Sequence, residues 1–272
     1  MRGHTQSRMW RPGLDSLTLI AASPVTPFPK HSHEHFVVAV TEAGVCGNVY
    51  RDGVRFAGPG TLVVIHPGEV HTGFPAGPAA WAYRAAYPEA SLFRDLAMMD
   101  TPFFHDPVIH DSALALEFLT AHRLLESPAE LLQGQERLMR VLGQLAARYA
   151  HCPRESPLPP PSVVALCRAR DYLESEYNRN VTVAELARVA DLSLFHFLRA
   201  FQRQFGLTPH AFLNQLRVGR AREMILRGTP IAQAAVDAGF VDQSHLTRWF
   251  KRLLGVTPGR VKPVGTHLSS AT

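Results

Sequence analysis

Ser193-Leu-Phe-His-Phe-Leu-Arg-Ala-Phe-Gln-Arg-Gln-Phe-Gly-Leu-Thr-Pro209 is answered 49 residues later by Asp242-Gln-Ser-His-Leu-Thr-Arg-Trp-Phe-Lys-Arg-Leu-Leu-Gly-Val-Thr-Pro258. Seven of the seventeen columns are identical: His196, Arg199, Phe201, Arg203, Gly206, Thr208 and Pro209 fall on His245, Arg248, Phe250, Arg252, Gly255, Thr257 and Pro258. Self-similarity on this scale marks a duplicated structural unit. Each copy follows a short small-residue helix and a tight turn. Val183–Ala190 leads into Asp191-Leu192, and Ile231–Ala238 into Gly239-Phe240-Val241. The turn residue needs a left-handed backbone, which Gly239 supplies freely and Asp191 tolerates. Ser193 and Asp242 read as N-caps of the helices that follow. Helix, tight turn, helix, at about 183–205 and again at about 231–254, is a helix-turn-helix unit written twice.

The second helix of each unit has two faces. Phe197, Phe201 and Phe205, with Leu246, Phe250 and Leu253 in the second copy, recur at helical spacing and are expected in the core. The other face carries Phe195, His196, Leu198, Arg199 and Arg203, then Ser244, His245, Thr247, Arg248 and Arg252. An arginine can fork onto guanine O6 and N7, and serine and threonine can approach several base edges. Periodicity alone does not divide base contacts from phosphate contacts. The charge is placed to match: residues 163–272 hold 15 Lys and Arg against 8 Asp and Glu, while residues 1–162 hold 13 against 15. A basic half suggests a polyanionic partner, here double-stranded DNA.

Gly239-Phe240, Asp242–Arg252 and Gly255-Val-Thr-Pro-Gly259 resemble the signature of AraC/XylS-type transcription regulators, over about residues 163–262. The resemblance implies seven helices, with two recognition helices joined by a long linker helix at about 209–226, each entering a major groove about one turn apart. By matching position it puts base readout on Phe195, Leu198 and Arg199, then on Ser244, His245 and Arg248. Leu198 departs from the polar reader common there, and Asp191 from the usual glycine.

Five prolines within 152–162 cannot continue a helix, and the domain boundary is placed there. The expected division is a sensing and dimerising domain over 1–151, a linker over 152–162 and a DNA-binding domain over 163–265. Within residues 18–86, His35–Thr41 and Thr61–Ile65 are β-branched and aromatic runs, with turn signals at Arg51-Asp-Gly53 and Pro59-Gly60. The fold class is therefore multidomain α+β, an N-terminal barrel or sandwich followed by an all-α half. Leu131, Leu138, Val141, Leu142 and Leu145 then recur as an amphipathic helix.

His31-Ser-His-Glu-His35, Gly60–His71 and Trp81-Ala-Tyr83 resemble the cupin-like sensor of arabinose-regulator type. That resemblance implies a small β-barrel holding one small-molecule effector, and a homodimer through the later helix. Candidate pocket residues are His33, His35, His66, Glu69, His71, Trp81 and Tyr83. A metal is not expected: His33 and His35 (or His31 and His33) with His71 offer three imidazoles, but no glutamate stands five residues after either pair, where Val38 and Val40 lie. The reading is a non-enzymatic, sequence-specific transcription regulator. It is expected to be an activator working with RNA polymerase and to need no cofactor. Two others stay open: a cupin-type metalloenzyme fused to a DNA-binding domain, and an architectural DNA binder with a vestigial sensor.

Three scattered cysteines (Cys46, Cys152, Cys167) indicate no disulfide framework. No run of eighteen apolar residues suggests a membrane span, and the basic N-terminus lacks the apolar stretch of a secretory signal, so a cytoplasmic protein is expected.

Overall fold

The computed structural model describes residues 7–23, 27–51, 53–78, 81–97, 102–151 and 161–261. The chain begins with β1 (Arg8–Trp10), β2 (Leu17–Ala22), β3 (Phe28–His31), β4 (Val37–Ala43), β5 (Cys46–Tyr50), β6 (Gly53–Ala57), β7 (Leu62–Ile65), β8 (His71–Pro75) and β9 (Ala82–Pro88). Helix α1 (Ala90–Ala97), strands β10 (Phe103–Phe104) and β11 (Val108–Ile109), helices α2 (Ser112–Leu124) and α3 (Leu131–Tyr149) and strand β12 (Ala150–His151) complete the first half. A six-stranded sheet runs β1-β2-β9-β4-β7-β11 and a four-stranded sheet β3-β8-β5-β6.

The apolar runs of β4 and β7 make sense once both faces of the larger sheet are covered. Successive side chains of a strand point to opposite faces. Val37, Val63, Ile65 and Tyr83 turn inward, toward Cys46, Tyr50 and Ala57 of the smaller sheet. Val38, Val40, Leu62 and Val64 turn outward against α1, α2 and α3. A strand buried on both faces needs no polar alternation.

The stripe of α3 is spent here. Leu138, Val141, Leu142 and Leu145 are at most 2% exposed within this monomer core. Of the two partners open to this stripe, its own barrel or a second subunit, it takes the first, so a homodimer through the later helix would use other residues of α3. Outside the core, Leu116 of α2 and Leu132 of α3 are 62% and 77% exposed.

The second half holds α4 (Pro161–Ser175), α5 (Val183–Val189), α6 (Leu194–Phe205), α7 (Pro209–Leu226), α8 (Ile231–Asp237) and α9 (Gln243–Leu254). Helix α4 starts two residues inside the expected linker, whose residues 152–160 lie outside the described residues, as does the stretch beyond 261. Against the seven helices implied, the described residues give six α-helices and a 3-10 turn at Pro258–Arg260. A capping box opens α5: Thr182 Oγ1 accepts from the Glu185 N–H, and the Glu185 carboxylate accepts from the Thr182 N–H. Asp242 caps α9 by accepting from the His245 N–H at 2.7 Å. Ser193 stands at the N-cap of α6 but its side chain makes no capping bond.

Both turns take the left-handed backbone expected of them, Asp191 at φ 54° and Gly239 at φ 84°. Gly239 is confined further. A Cβ there would lie 2.9 Å from Asn178 Cα and 3.0 Å from Arg217 Nε. That arginine is buried and donates to the carbonyls of Tyr177 (2.7 Å) and Arg179 (2.9 Å). Arg217, on α7, thereby ties the second turn to the loop ahead of α5. Gly239→Ala is expected to destabilise the chain by at least the ~1–2 kcal/mol of a left-handed non-glycine residue, whereas Asp191→Gly leaves stability unchanged or raises it. Urea unfolding of both variants checks the opposite signs.

Candidate DNA interface and effector cavity

The two helix-turn-helix units do not share a core. In the first, Phe197 and Phe201 of α6 pack with Leu166 and Leu173 of α4 and Leu186 of α5. In the second, Leu246, Phe250, Leu253 and Leu254 of α9 join Ala234 and Ala235 of α8, and that cluster runs on into Ile20, Trp81, Tyr83 and Tyr87 of the barrel. The seam is fastened at several points. Ser32 N donates to Gln215 Oε1 and Gln215 Nε2 donates to Ser32 Oγ, both at 2.7 Å. Arg11 pairs with Glu223 of α7. Met9 bridges to Val261. The Phe28 ring lies so close to Gly255 that a Cβ there would sit 2.7 Å from it.

On the outward face of α6, Phe195, His196, Arg199 and Arg203 are exposed, Phe195 to 80%, and Leu198 is half-buried. On α9, Ser244, Arg248 and Arg252 are exposed, and His245 and Thr247 are half-buried. Among the described residues, no carboxylate pairs with Arg199, Arg203, Arg248 or Arg252. A surface guanidinium without a protein partner has its donors free for an anion. Two candidate readers are partly spoken for. His245 Nε2 accepts from Trp249 Nε1 at 3.2 Å, and Thr247 Oγ1 donates to its own helix at Gln243 O, 2.8 Å. Arg252 stacks on Trp249 at 5.1 Å. Phe205 packs against the first unit's core, 4.6 Å from the Phe201 ring, and its other side lines a cavity at the seam.

Two cavities adjoin. The barrel interior holds about 60 Å³ among aromatic rings including Phe28, Trp81, Tyr83 and Tyr87, closed on one side by Leu253 and Leu254. The seam cavity is about 440 Å³, between His31–Glu34 and the α7 residues Gln215, Gly219, Arg220 and Arg222. Two buried donors face no protein acceptor here: Trp81 Nε1 and Arg222 Nε. Of the candidate pocket residues, His33, His71, Trp81 and Tyr83 line the barrel interior.

The other three stand elsewhere. His66 is enclosed by the Tyr50 hydroxyl (2.9 Å), Arg51 (2.8 Å) and the Phe104 N–H (2.9 Å), beneath the stacked ring of Phe103. Glu69 pairs with Arg51. His35 faces the charges of Arg222 and Glu223 rather than the interior. In its place His31, paired in register with His71 across β3 and β8, enters the cluster. His31, His33 and His71 bring one nitrogen each to within 4.8 Å of one another. The sequence named His31 only as an alternative, because a slip of two residues in the HxHxH run is invisible without the strand register. Phe28, Tyr87, Arg222 and Leu254 carried no signal of their own, and Leu253 was legible only as helix core, not as a cavity wall.

Burial holds the barrel histidines neutral. It lowers His31, His35 and His66 to about 4 and His122 to about 3, and puts His33 and His71 well below the ordinary value. His122 shows the form chosen: Nε2–H donates to Ala85 O (3.2 Å) while Nδ1 accepts from Arg84 (3.1 Å). Unfolded, each histidine ionises near 6.5, so the unfolded chain binds more protons in acid. Their stabilising contribution is complete above pH 6.5 and is lost as pH falls toward 4. The melting temperature is expected to drop between pH 7.5 and pH 5, and less so in His122→Asn. Equal melting at the two pH values would sink the assignment.

A family model described as "AraC-like ligand binding domain" matches residues 14–142, and one described as "Helix-turn-helix domain" matches 186–262. A protein named "Uncharacterized HTH-type transcriptional regulator YbfI", from Bacillus subtilis (strain 168), is 28% identical over 226 residues, 80% of this chain and 81% of that one. A single-substitution variant of ToxT from Vibrio cholerae strain SCE256, in its apo form, superposes with TM-score 0.60 at 10% identity, covering 92% of this chain and 97% of that one. Wild-type ToxT from the same strain, bound to an unsaturated fatty acid, gives 0.56 at 11%, covering 95% of each. At those identities the likeness is one of fold. No helix among the described residues is long and apolar enough to cross a membrane.

Proposed function

We propose that this chain, an AraC-family helix-turn-helix transcriptional regulator with an N-terminal AraC-like ligand-binding domain, is an effector-controlled activator whose second recognition helix is positioned by the ligand. One observation carries the proposal. Leu253 and Leu254, at the C-terminal end of α9, are walls of the barrel cavity. With them in place about 60 Å³ remains, well short of the ~300–1,000 Å³ of an ordinary ligand pocket. An effector of metabolite size therefore either occupies the 440 Å³ seam or enters the barrel by displacing the end of α9. In both cases it bears on the second unit through Leu253 and Leu254; in the seam it also meets Arg170 and Glu174 of α4 and Phe205 of α6, at the edge of the first unit's separate core.

Differential affinity of the effector for the two arrangements is what shifts the equilibrium between them. The aromatic lining suits an apolar or aromatic body. The unpartnered Trp81 Nε1 and Arg222 Nε suit an acceptor oxygen, best a carboxylate. The fatty acid held by wild-type ToxT is a ligand of this chemical class. His33, His71, Trp81 and Tyr83 are the effector contacts of this reading. His35, His66 and Glu69 keep neighbouring roles outside the cavity.

On DNA, Arg199 and Arg248 are assigned to bases, flanked by Phe195 and Leu198 in the first unit and Ser244 in the second. Arg203 and Arg252 are assigned to phosphate, and His196, His245 and Thr247 complete the two faces. A homodimer formed over the exposed faces of α2 and α3 would bring four units to two half-sites, with RNA polymerase recruited beside them.

Selection from a random duplex pool would supply the binding sequence. On it, Arg199→Ala and Arg248→Ala are each expected to cost about 1–3 kcal/mol and to relax preference at one base pair. Arg203→Ala and Arg252→Ala should weaken binding to all sequences and reduce the salt dependence. Wild-type binding by both Arg199→Ala and Arg248→Ala would remove the recognition-helix assignment. A thermal-shift screen of the full chain against aromatic acids, fatty acids, sugars and amino acids tests the effector class; stabilisation by neutral sugars alone would overturn the carboxylate reading.

A further inference from the structure

We propose that His31, His33 and His71 form a binding site for a divalent transition-metal ion of the zinc class, at the point where the barrel interior meets the seam between the two halves. The three ring centroids lie 4.3 to 5.1 Å apart, and one nitrogen from each ring falls within 4.8 Å of the others. Zinc holds imidazole nitrogens at about 2.0–2.1 Å, so small side-chain rotations close the set around an ion.

The tautomers are set for it. His31 Nδ1 lies 2.8 Å from Pro29 O, and His71 Nδ1 lies 3.1 Å from Glu69 O. A carbonyl only accepts, so in both rings Nδ1 carries the proton and Nε2 keeps its lone pair. A backbone carbonyl on the far nitrogen is the usual second-sphere support of a metal-bound histidine. Ring orientation is fixed as well: β3 and β8 place His31 and His71 directly opposite in register, and His33 packs edge-on against Tyr87 at 5.1 Å.

Three neutral nitrogens with no carboxylate in the set favour zinc, nickel or copper over calcium or magnesium. His31 and His33 line both cavities, so the seam gives an entry path and leaves the remaining coordination positions to water or to an oxygen of a bound acid.

The ion would also act on the seam, and this part rests on the proposed regulatory function. Ser32 stands between two ligands and is the residue whose N–H and hydroxyl both bond Gln215 of α7. Fixing His31 and His33 fixes Ser32, and through it the helix that joins the two DNA-binding units.

The test uses the full chain stripped with chelator and titrated with Zn²⁺, then with Co²⁺ as the spectroscopic probe. One equivalent is expected to bind, with visible Co²⁺ absorption bands and a raised melting temperature. His31→Ala, His33→Ala and His71→Ala should each weaken binding at least roughly ten-fold, while His110→Ala, an exposed histidine on another surface, should not. Conservative His→Gln replacements, checked by circular dichroism, serve where an alanine variant fails to fold. Absence of stoichiometric binding by the wild-type chain overturns the site, as does full binding by all three single variants. Binding to the selected DNA is then compared for loaded and stripped protein. A several-fold difference supports the coupling through Ser32, and equal affinities overturn it. Loss of DNA binding in both forms would count against the regulatory reading, with the Co²⁺ spectrum still deciding the metal site.

Discussion

The apolar contact between the end of α9 and the inside of the barrel is what the arrangement depends on. Leu253 and Leu254 are a buried helix end and a cavity wall at once. A small sandwich with an aromatic interior must fill it or pay for a void, and an unfilled cavity costs stability in proportion to its volume. Here the filling comes from the other half of the chain. Burying a leucine side chain stabilises by about 1.5–3 kcal/mol, so the pair is enough to hold the second unit down and small enough for a well-placed ligand to oppose.

Around that contact the polar fastenings are of two kinds. The Ser32–Gln215 exchange is neutral and geometrically specific, and fixes where α7 crosses the barrel. The Arg11–Glu223 pair brings charge, with Arg222 beside it carrying an Nε that finds no protein acceptor. A buried donor left open costs about 1–3 kcal/mol. A ligand oxygen placed there would recover that cost.

Much of the fold was legible because local rules carry it. The repeat fixed both helix-turn-helix units, the left-handed turns at Asp191 and Gly239, and the cap at Asp242, though the matching Ser193 makes no capping bond. The doubly buried strands β4 and β7 were legible as continuous apolar runs. The rest depends on pairings between residues far apart in the chain. Which two histidines of the HxHxH run face inward depends on the β3–β8 register, which a single sequence does not specify. The stripe of α3 has the same spacing whether it meets its own sheet or a second subunit, so periodicity was silent on that choice. His66 and Glu69 had the residue types of a pocket, but Arg51, at a positive-φ turn, gathers both into a structural knot. The seam itself had no signature: Phe28, Arg222 and Leu254 look like any ring, surface charge and core leucine.

The break in the sequence and the break in packing fall in different places. Composition divides the chain at the prolines, yet the second DNA-binding unit shares its interior with the sensor rather than with its own duplicate. As a matter of modular inheritance, the piece that must travel with this barrel is therefore the far end of the chain, not the nearer one. A sensor half grafted onto another regulator's DNA-binding half would arrive with an open mouth, and would need the recipient's last helix to supply two leucines and a bare glycine opposite Phe28. Shuffling of halves among such proteins is then limited less by the connecting segment than by whether that closing helix fits.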